Sequence, residues 1–351
     1  MDMSEMDVAL RYFKWPFIVT ALGLALSFWL GWNSGAGGFP HAMSFLFVGF
    51  VLAILEISLS FDNAIVNANK LKDMTPEWQR RFLTWGILIA VFGMRVVFPL
   101  LIVVIAARIG PIEAIRLAAT DEARYAAIIN DAHVSIAAFG GAFLMMVALK
   151  FFLNEEKDVH WVPGFEAWLH RMAGVRGIEV AVVLVLILVF SNFVPATEKE
   201  TFLTAAVSGL VTFLVVELIG HGLDEKQAAM STAAKGGFGA FLYLEVLDAS
   251  FSFDGVIGAF ALTQNLFLIA IGLGIGAMYV RSMTIMLVER QTLTQFRYLE
   301  HGAFYSILTL AVIMFVQTLH VEVPEVVTGL LGAAFIGTAL WASIKFNRAA
   351  R

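Results

Sequence analysis

Ten apolar stretches, most of them near the length of a bilayer crossing, follow one another along this chain. They fall at 16–32, 43–68, 82–106, 133–153, 178–194, 202–219, 237–262, 266–288, 303–319 and 325–346. A spanning helix needs about 20 apolar residues. In lipid the backbone must satisfy its own polar groups, and a helix does so within one segment. The expected fold is therefore an all-α polytopic transmembrane bundle of about ten spans, a single membrane domain over 1–351 with the lipid bilayer as its first partner. Charged residues make up 15% of the chain, against about 25% in a soluble domain. No basic patch is dense enough for nucleic acid. The absence of cysteine excludes disulfides, thiolate metal sites and cysteine catalysis. Asp2, Glu5 and Asp7 precede any positive charge, so residues 16–32 read as a retained first span, not a cleaved leader.

The short links Thr263–Asn265 and His320–Pro324 make their flanking spans antiparallel neighbours. With the N-terminus inside, only Arg108, Arg116, Arg124 and Lys199 of the 23 lysines and arginines fall outside, while Arg95 and Arg281 lie within spans. The other 17 fall inside, as the positive-inside rule requires. The expected location is a bacterial-type inner (plasma) membrane, multi-pass, with both termini cytoplasmic. Two loops carry some character. Residues 112–130 are amphipathic and expected at the outer surface. Residues 163–171, with Phe165, Trp168 and Leu169, are expected to form a short interfacial helix on the inner side. Neither loop suggests chemistry.

Inside two of the spans sits a repeated acidic motif. LEISLSFDN (55–63) returns as LDASFSFDG (247–255), 192 positions later. Glu56 matches Asp248, Ser58 matches Ser250, Ser60 matches Ser252 and Asp62 matches Asp254. A carboxylate at the bilayer centre costs roughly 2.5–3.5 kcal/mol on insertion scales. Four are tolerated when they face one another, a water-filled cavity or a cation. The segment ending at Arg95 aligns with the one ending at Arg281 at an offset of 186, with Gly86 on Gly272. The next helix of each half opens with an acid and a histidine: Asp131 with His133, and Glu300 with His301. By the span count, the two motifs cross the membrane in opposite directions. That is the inverted-topology repeat of many secondary transporters, whose site lies at the repeat interface. The halves are 43–153 and 237–319, joined by connecting helices at 178–219, with an extra C-terminal span at 325–346.

Hard divalent cations take oxygen ligands. The candidate metal ligands are Glu56, Asp62, Asn63, Asp248 and Asp254, with Ser58, Ser60, Ser250, Ser252 and Glu245 as secondary ligands. For the serines, back-bonding to the helix carbonyl is an equal alternative. Crowded carboxylates also take up protons, so metal exchanging for protons follows naturally. On a regular helix Glu56, Ser60 and Asn63 share a face, as do Glu245, Asp248, Ser252 and Gly255; Asp62 and Asp254 sit about 120° away. Either local unwinding at the motifs reconciles them, with Gly255 and Gly258 suggesting the break in the second half and only Asn63 near the first motif, or the acids do different jobs, some as ligands and some as partners for arginine. Arg95 and Arg281 need partners and read as charge partners of Asp62 or Asp254, or as a static pair. Asp131, His133, Glu300 and His301 are candidates for a proton relay, or ordinary polar residues at span ends.

These paired motifs, each followed by a Gly-rich helix bearing an arginine, resemble the TerC family of integral membrane proteins, part of the wider LysE-like group of transporters. The resemblance covers roughly 43–320. It implies efflux of Mn²⁺ in exchange for protons, an association with tellurite resistance, and Glu56, Asp62, Asn63, Asp248 and Asp254 as the motif residues. Gly255 departs from it by replacing the second motif's amide. Mn²⁺ enters as the transported ion. No nucleophile–base constellation suggests an enzyme. Two other readings stay open: a membrane module or enzyme-like factor delivering metal to exported proteins, and an exporter of cationic or zwitterionic organic solutes. A homo-oligomer is compatible with the sequence.

Overall fold

The computed structural model describes residues 5–33, 38–72, 74–86, 89–155, 157–230, 237–321 and 323–349. Within its helices the side chains of Arg95, Ser250, Ser252 and Asp254 lie outside that description. The chain is helical: α1 (Glu5–Asn33), α2 (Phe39–Leu59), α3 (Phe61–Leu71), α4 (Pro76–Arg81), α5 (Phe98–Ala107), α6 (Pro111–Thr120), α7 (Glu122–Asp131) and α8 (His133–Phe152). There follow α9 (Pro163–Ala173), α10 (Ile178–Phe190), α11 (Lys199–Met230), α12 (Phe238–Leu262), α13 (Leu266–Glu289), α14 (Thr292–Gln295), α15 (Leu299–Gln317) and α16 (Glu325–Ala349). No strand occurs among the described residues.

Seven of these helices are long and apolar enough to cross a membrane: α1, α2, α8, α11, α13, α15 and α16. An eighth arises if α9 and α10, bent by 109° to each other, count as one. Large apolar side chains stand exposed on the outer helices: Leu22 and Trp29 on α1, Leu188 on α10, Leu218 on α11, Leu330 and Trp341 on α16. In water such a surface would be a liability; in a bilayer it is the solvent-matched face. The chain is a multi-spanning membrane protein.

The difference from ten spans has local causes. Residues 82–106 do not form one α-helix. Phe82–Gly86 and Ile89–Val97 are π-helical, and α5 begins at Phe98. Pro99 has no N–H and clashes with the preceding turn, so regular helix starts afresh there. The helix α10 has 13 residues, about 20 Å, short of a 30 Å core. The 25-residue α12 is long enough, but carries Glu245, Asp248 and Asp254.

Small residues set the register that builds the centre. Leu52 packs on Gly272, Glu56 packs on Gly276, and the Thr284 hydroxyl donates to the Ala64 carbonyl at 3.4 Å, a constant offset of 220. α13 therefore runs parallel to α2 and α3, at a separation only glycine permits. Glu56 also faces Gly255, and Asn67 bonds Asp248, so α12 runs antiparallel to α2–α3. Likewise Gly140 abuts Met314, and Phe151 stacks on Phe304 with ring centres 3.8 Å apart. That makes α8 and α15 an antiparallel pair, and both are mostly buried.

Candidate functional site

Between Glu56 and Asp62 the helix breaks at one residue. Ser60, with φ −96° and ψ 16°, closes α2 and opens α3. Its amide still donates to the Glu56 carbonyl at 3.0 Å, and Ala64 donates back to the Ser60 carbonyl at 3.3 Å. The chain is turned, not unwound. That turn lets both acids line one cavity although a regular helix would hold them about 120° apart. Ser60 and Asn63 line it too, with Phe251 and Gly255 of α12, Ser306 and Leu310 of α15, and Thr328, Gly329 and Gly332 of α16. The break sits in the first half. In the second half α12 runs uninterrupted past Gly255 and Gly258, contrary to expectation. Gly255 serves close approach instead: a Cβ there would lie 2.9 Å from Glu56 Oε2.

The cavity is small, about 40 Å³ of space open to the centre of a water-sized sphere. That is room for roughly three water-sized bodies. Glu56 is 3% exposed and Asp62 6%. Glu56 Oε1 accepts from the Ser60 hydroxyl at 3.1 Å. Asp62 Oδ2 accepts from the Ser306 hydroxyl at 2.7 Å, and its Oδ1 from the Asn63 amide at 2.9 Å. Among the described residues, no lysine, arginine or histidine lines the cavity. Among these residues, neutral donors orient the Asp62 carboxylate without cancelling its charge, and a buried charge is costly unless it is compensated.

The remaining expected residues fall elsewhere. Asp248 Oδ1 accepts from Asn67 Nδ2 at 2.8 Å, outside the cavity lining, and Glu245 is buried one helical turn before it. The side chains of Asp254, Ser250, Ser252 and Arg95 lie outside the described residues. Ser58 is exposed and back-bonds the Ile54 carbonyl at 2.8 Å. Two residues past Glu56, it is turned about 200° from it, so it is no ligand. The charge-partner expectation for Arg281 finds no support at Asp62, while its Asp254 alternative lies outside the described residues. No described carboxylate pairs with it and its Nε has no partner, while Asp62 is satisfied by Ser306 and Asn63. Asp131 is exposed at the end of α7, beside His133 at the start of α8. Glu300 accepts from the Asn69 amide, and His301 Nε2 donates to the Val159 carbonyl at 2.8 Å. Because α8 and α15 are antiparallel, these two acid–histidine pairs sit at opposite ends of the bundle and form no single relay.

Two features escaped the sequence reading. One is the part of α15 and α16 in the cavity. A lone Ser306 in an apolar span and the Gly329–Gly332 spacing were the available signals. The other is Glu166, 0% exposed in α9. It accepts from Lys157 Nζ at 2.8 Å, from the Val162 and Trp161 amides at 3.0 and 3.2 Å, and from the Tyr305 hydroxyl at 3.1 Å. His301 Nε2 and His160 Nδ1 stand 3.4 and 3.6 Å from its Oε2. Burial alone would raise the Glu166 carboxyl, but the Lys157 bond and the backbone amides outweigh it and hold the group below its ordinary value. Burial pushes the Lys157 ammonium below its own. The signal was the acid in the first turn behind Pro163, where helix N-terminal amides gather an anion.

Among the described residues, no group of three or more histidines or acids is gathered closely enough to hold a metal ion by itself. The cavity's oxygen set is two carboxylates with neutral oxygens from Ser60, Asn63, Ser306 and Thr328. The model of a family described as protein of unknown function (DUF475) matches residues 61–350. The match includes Asp62, Ser306 and all of α16, and begins after Glu56. No curated protein and no solved structure matches the chain.

Proposed function

For this chain, which belongs to that family of proteins of unknown function (DUF475), we propose secondary-active export of a divalent metal cation. The cation is Mn²⁺, exchanged for protons across a bacterial-type inner membrane, and both termini are cytoplasmic. The carrying observation is the small cavity with Glu56 and Asp62 in its wall and no basic side chain among the described residues that line it, set among helices that cross lipid. The carboxylates, hydroxyls and side-chain amide in its wall offer oxygen ligands that suit a hard cation. Its volume suits an ion with one or two waters, not an amino acid, which weighs against the organic-solute reading. The antiparallel setting of α12 on α2–α3 supports inverted repeats, and a site between them is where transporters of that build hold their ion. The resemblance to TerC proteins supplies manganese as the ion and the link to tellurite resistance. Tellurite is itself an anion and is not favoured by an acidic site.

In the cycle proposed, the two carboxylates bind the ion from one side, release it on the other and return protonated. Protonation removes the charge that would otherwise be stranded in a low-dielectric wall. Purified protein in proteoliposomes loaded with Mn²⁺ tests this. Glu56→Gln and Asp62→Asn should each lower proton-gradient-driven Mn²⁺ flux at least tenfold. Wild-type flux in both variants would overturn the proposal.

A further inference from the structure

Glu245 is 6% exposed, and neither of its carboxylate oxygens has a hydrogen-bond partner. It lies on α12 against the π-helical turn, where a Cβ on Gly86 would come within 2.8 Å of Glu245 Oε1. Asp248, three residues on, shares its helix face; such residues have Cβ atoms about 5–6 Å apart. Asn67 of α3 donates its amide nitrogen to Asp248 at 2.8 Å. Its own Oδ1, on a residue 3% exposed, has no partner. Glu245 and Asn67 thus flank Asp248, each with a buried acceptor oxygen that has no hydrogen-bond partner, while the Asn67 amide nitrogen is already used on Asp248. Orphaned buried acceptors are costly. A surplus of acceptor oxygens is remedied by a cation, which accepts several at once.

This place is not the cavity. Asn67 is five residues beyond Asp62 on α3, about 7.5 Å along the axis, and Asp248 is seven residues before Gly255 on α12, about 10 Å. Since α3 and α12 are antiparallel, both displacements point the same way. We infer that Glu245, Asp248 and the Asn67 carbonyl oxygen form a second divalent-cation site, displaced along the helix axes by roughly 7–10 Å from the levels of Asp62 and Gly255 towards the C-terminal end of α3. The inference deepens the proposed export and rests on it for the identity of the ion. Two stations in line let an ion bind firmly at neither and pass between them, the compromise every conduction path must strike.

Equilibrium dialysis of the purified full chain in detergent, with Mn²⁺ alone as probe, tests it. The wild type should bind two ions per chain. Glu245→Gln, which keeps the shape and removes the charge, should bind one. Asp62→Asn should also bind one, and the double variant none. Asn67→Ala should weaken one of the two ions at least tenfold and leave the other unchanged. Glu245→Gln should also raise the thermal midpoint of metal-free protein, because an unpartnered buried carboxylate has gone. A Glu245→Gln isotherm identical to wild type would overturn the second site and leave the cavity reading intact. If Asp62→Asn kept both ions while Glu245→Gln lost one, the cavity reading would fall and the second site stand. One ion in the wild type, lost equally in either variant, would mean a single shared site and overturn the inference.

Discussion

At the scale of residues, glycine decides how the cavity carboxylates sit. A Cβ on Gly276 would overlap the Glu56 Cβ and Cγ near the backbone, whereas one on Gly255 would meet only the Oε2 tip at 2.9 Å. A tip can swing aside and a stem cannot. Gly276→Ala should therefore cost about 1–3 kcal/mol, the usual price of overpacking, while Gly255→Ala should cost less than 1 kcal/mol yet disturb Mn²⁺ binding. Denaturant unfolding in detergent, paired with a binding isotherm for each variant, separates the two. Glu166 makes a pH prediction. Its folded-state pKa lies below the ordinary 4.5, so the stability it contributes is complete above pH 4.5 and is lost as pH falls through the depressed value. The thermal midpoint of wild type should exceed that of Glu166→Gln at pH 7, and the gap should close as acidification carries the pH through the depressed Glu166 value. A gap that widened in acid would reverse the sign and refute the account. That Glu56 and Asp62 would face a shared buried cavity was legible, because acids repeated inside apolar runs must face one another, water or a cation. Glu166 was not, since a single acid in an amphipathic loop reads as solvated until Lys157 and Tyr305 are seen to close over it.

The helices themselves were legible from apolar run length, but their interruptions were not. Glycine suggested a break near Gly255, and the break came at Ser60 because Gly255 is spent on contact with Glu56. No local signal distinguishes a serine that back-bonds within a helix, as Ser58 does, from one that ends it. The stretch 82–106 looked like one span by hydropathy, which is blind to the π-helical winding ahead of Pro99. The last helix offers the sharpest test at this scale. α16 read as an addition outside the two repeats, yet Gly332 faces the cavity: a Cβ there would lie 2.6 Å from Ser306 Oγ and 3.9 Å from Asp62 Oδ2. Gly332→Leu should fill the space, displace Ser306 from Asp62 and lower Mn²⁺ binding at least tenfold while the far-ultraviolet dichroism stays that of a helical bundle. Unchanged binding would remove α16 from the site.

Across the whole molecule, topology divides the polar groups between two ends. Asn265 at the start of α13 donates to Glu122 at 2.7 Å, so α7 lies at that end with Asp131. The 24 residues of α13 carry the chain about 36 Å further, to Arg290 at the other. The chain has no cysteine of its own, so single cysteines report cleanly. Asp131→Cys and Arg290→Cys, both at exposed positions, should react with an impermeant maleimide from opposite faces of sealed, oriented vesicles. Labelling from the same face would contradict the packing. This end-to-end division could be anticipated from the positive-inside pattern; the separation of Asp248 from Glu56 could not, because matching positions in two repeats suggest one shared centre while the pairing of Asn67 with Asp248 belongs to the fold alone.

The glycine register between α2 and α13 has a mechanical corollary. Two rods meshed tooth to notch at Gly272 and Gly276 resist sliding past each other, because any axial slip drives Leu52 and Glu56 into backbone. They travel as one stiff plank. Any opening of the cavity is thereby left to the facing wall, where α15 reaches Asp62 through the Ser306 hydroxyl.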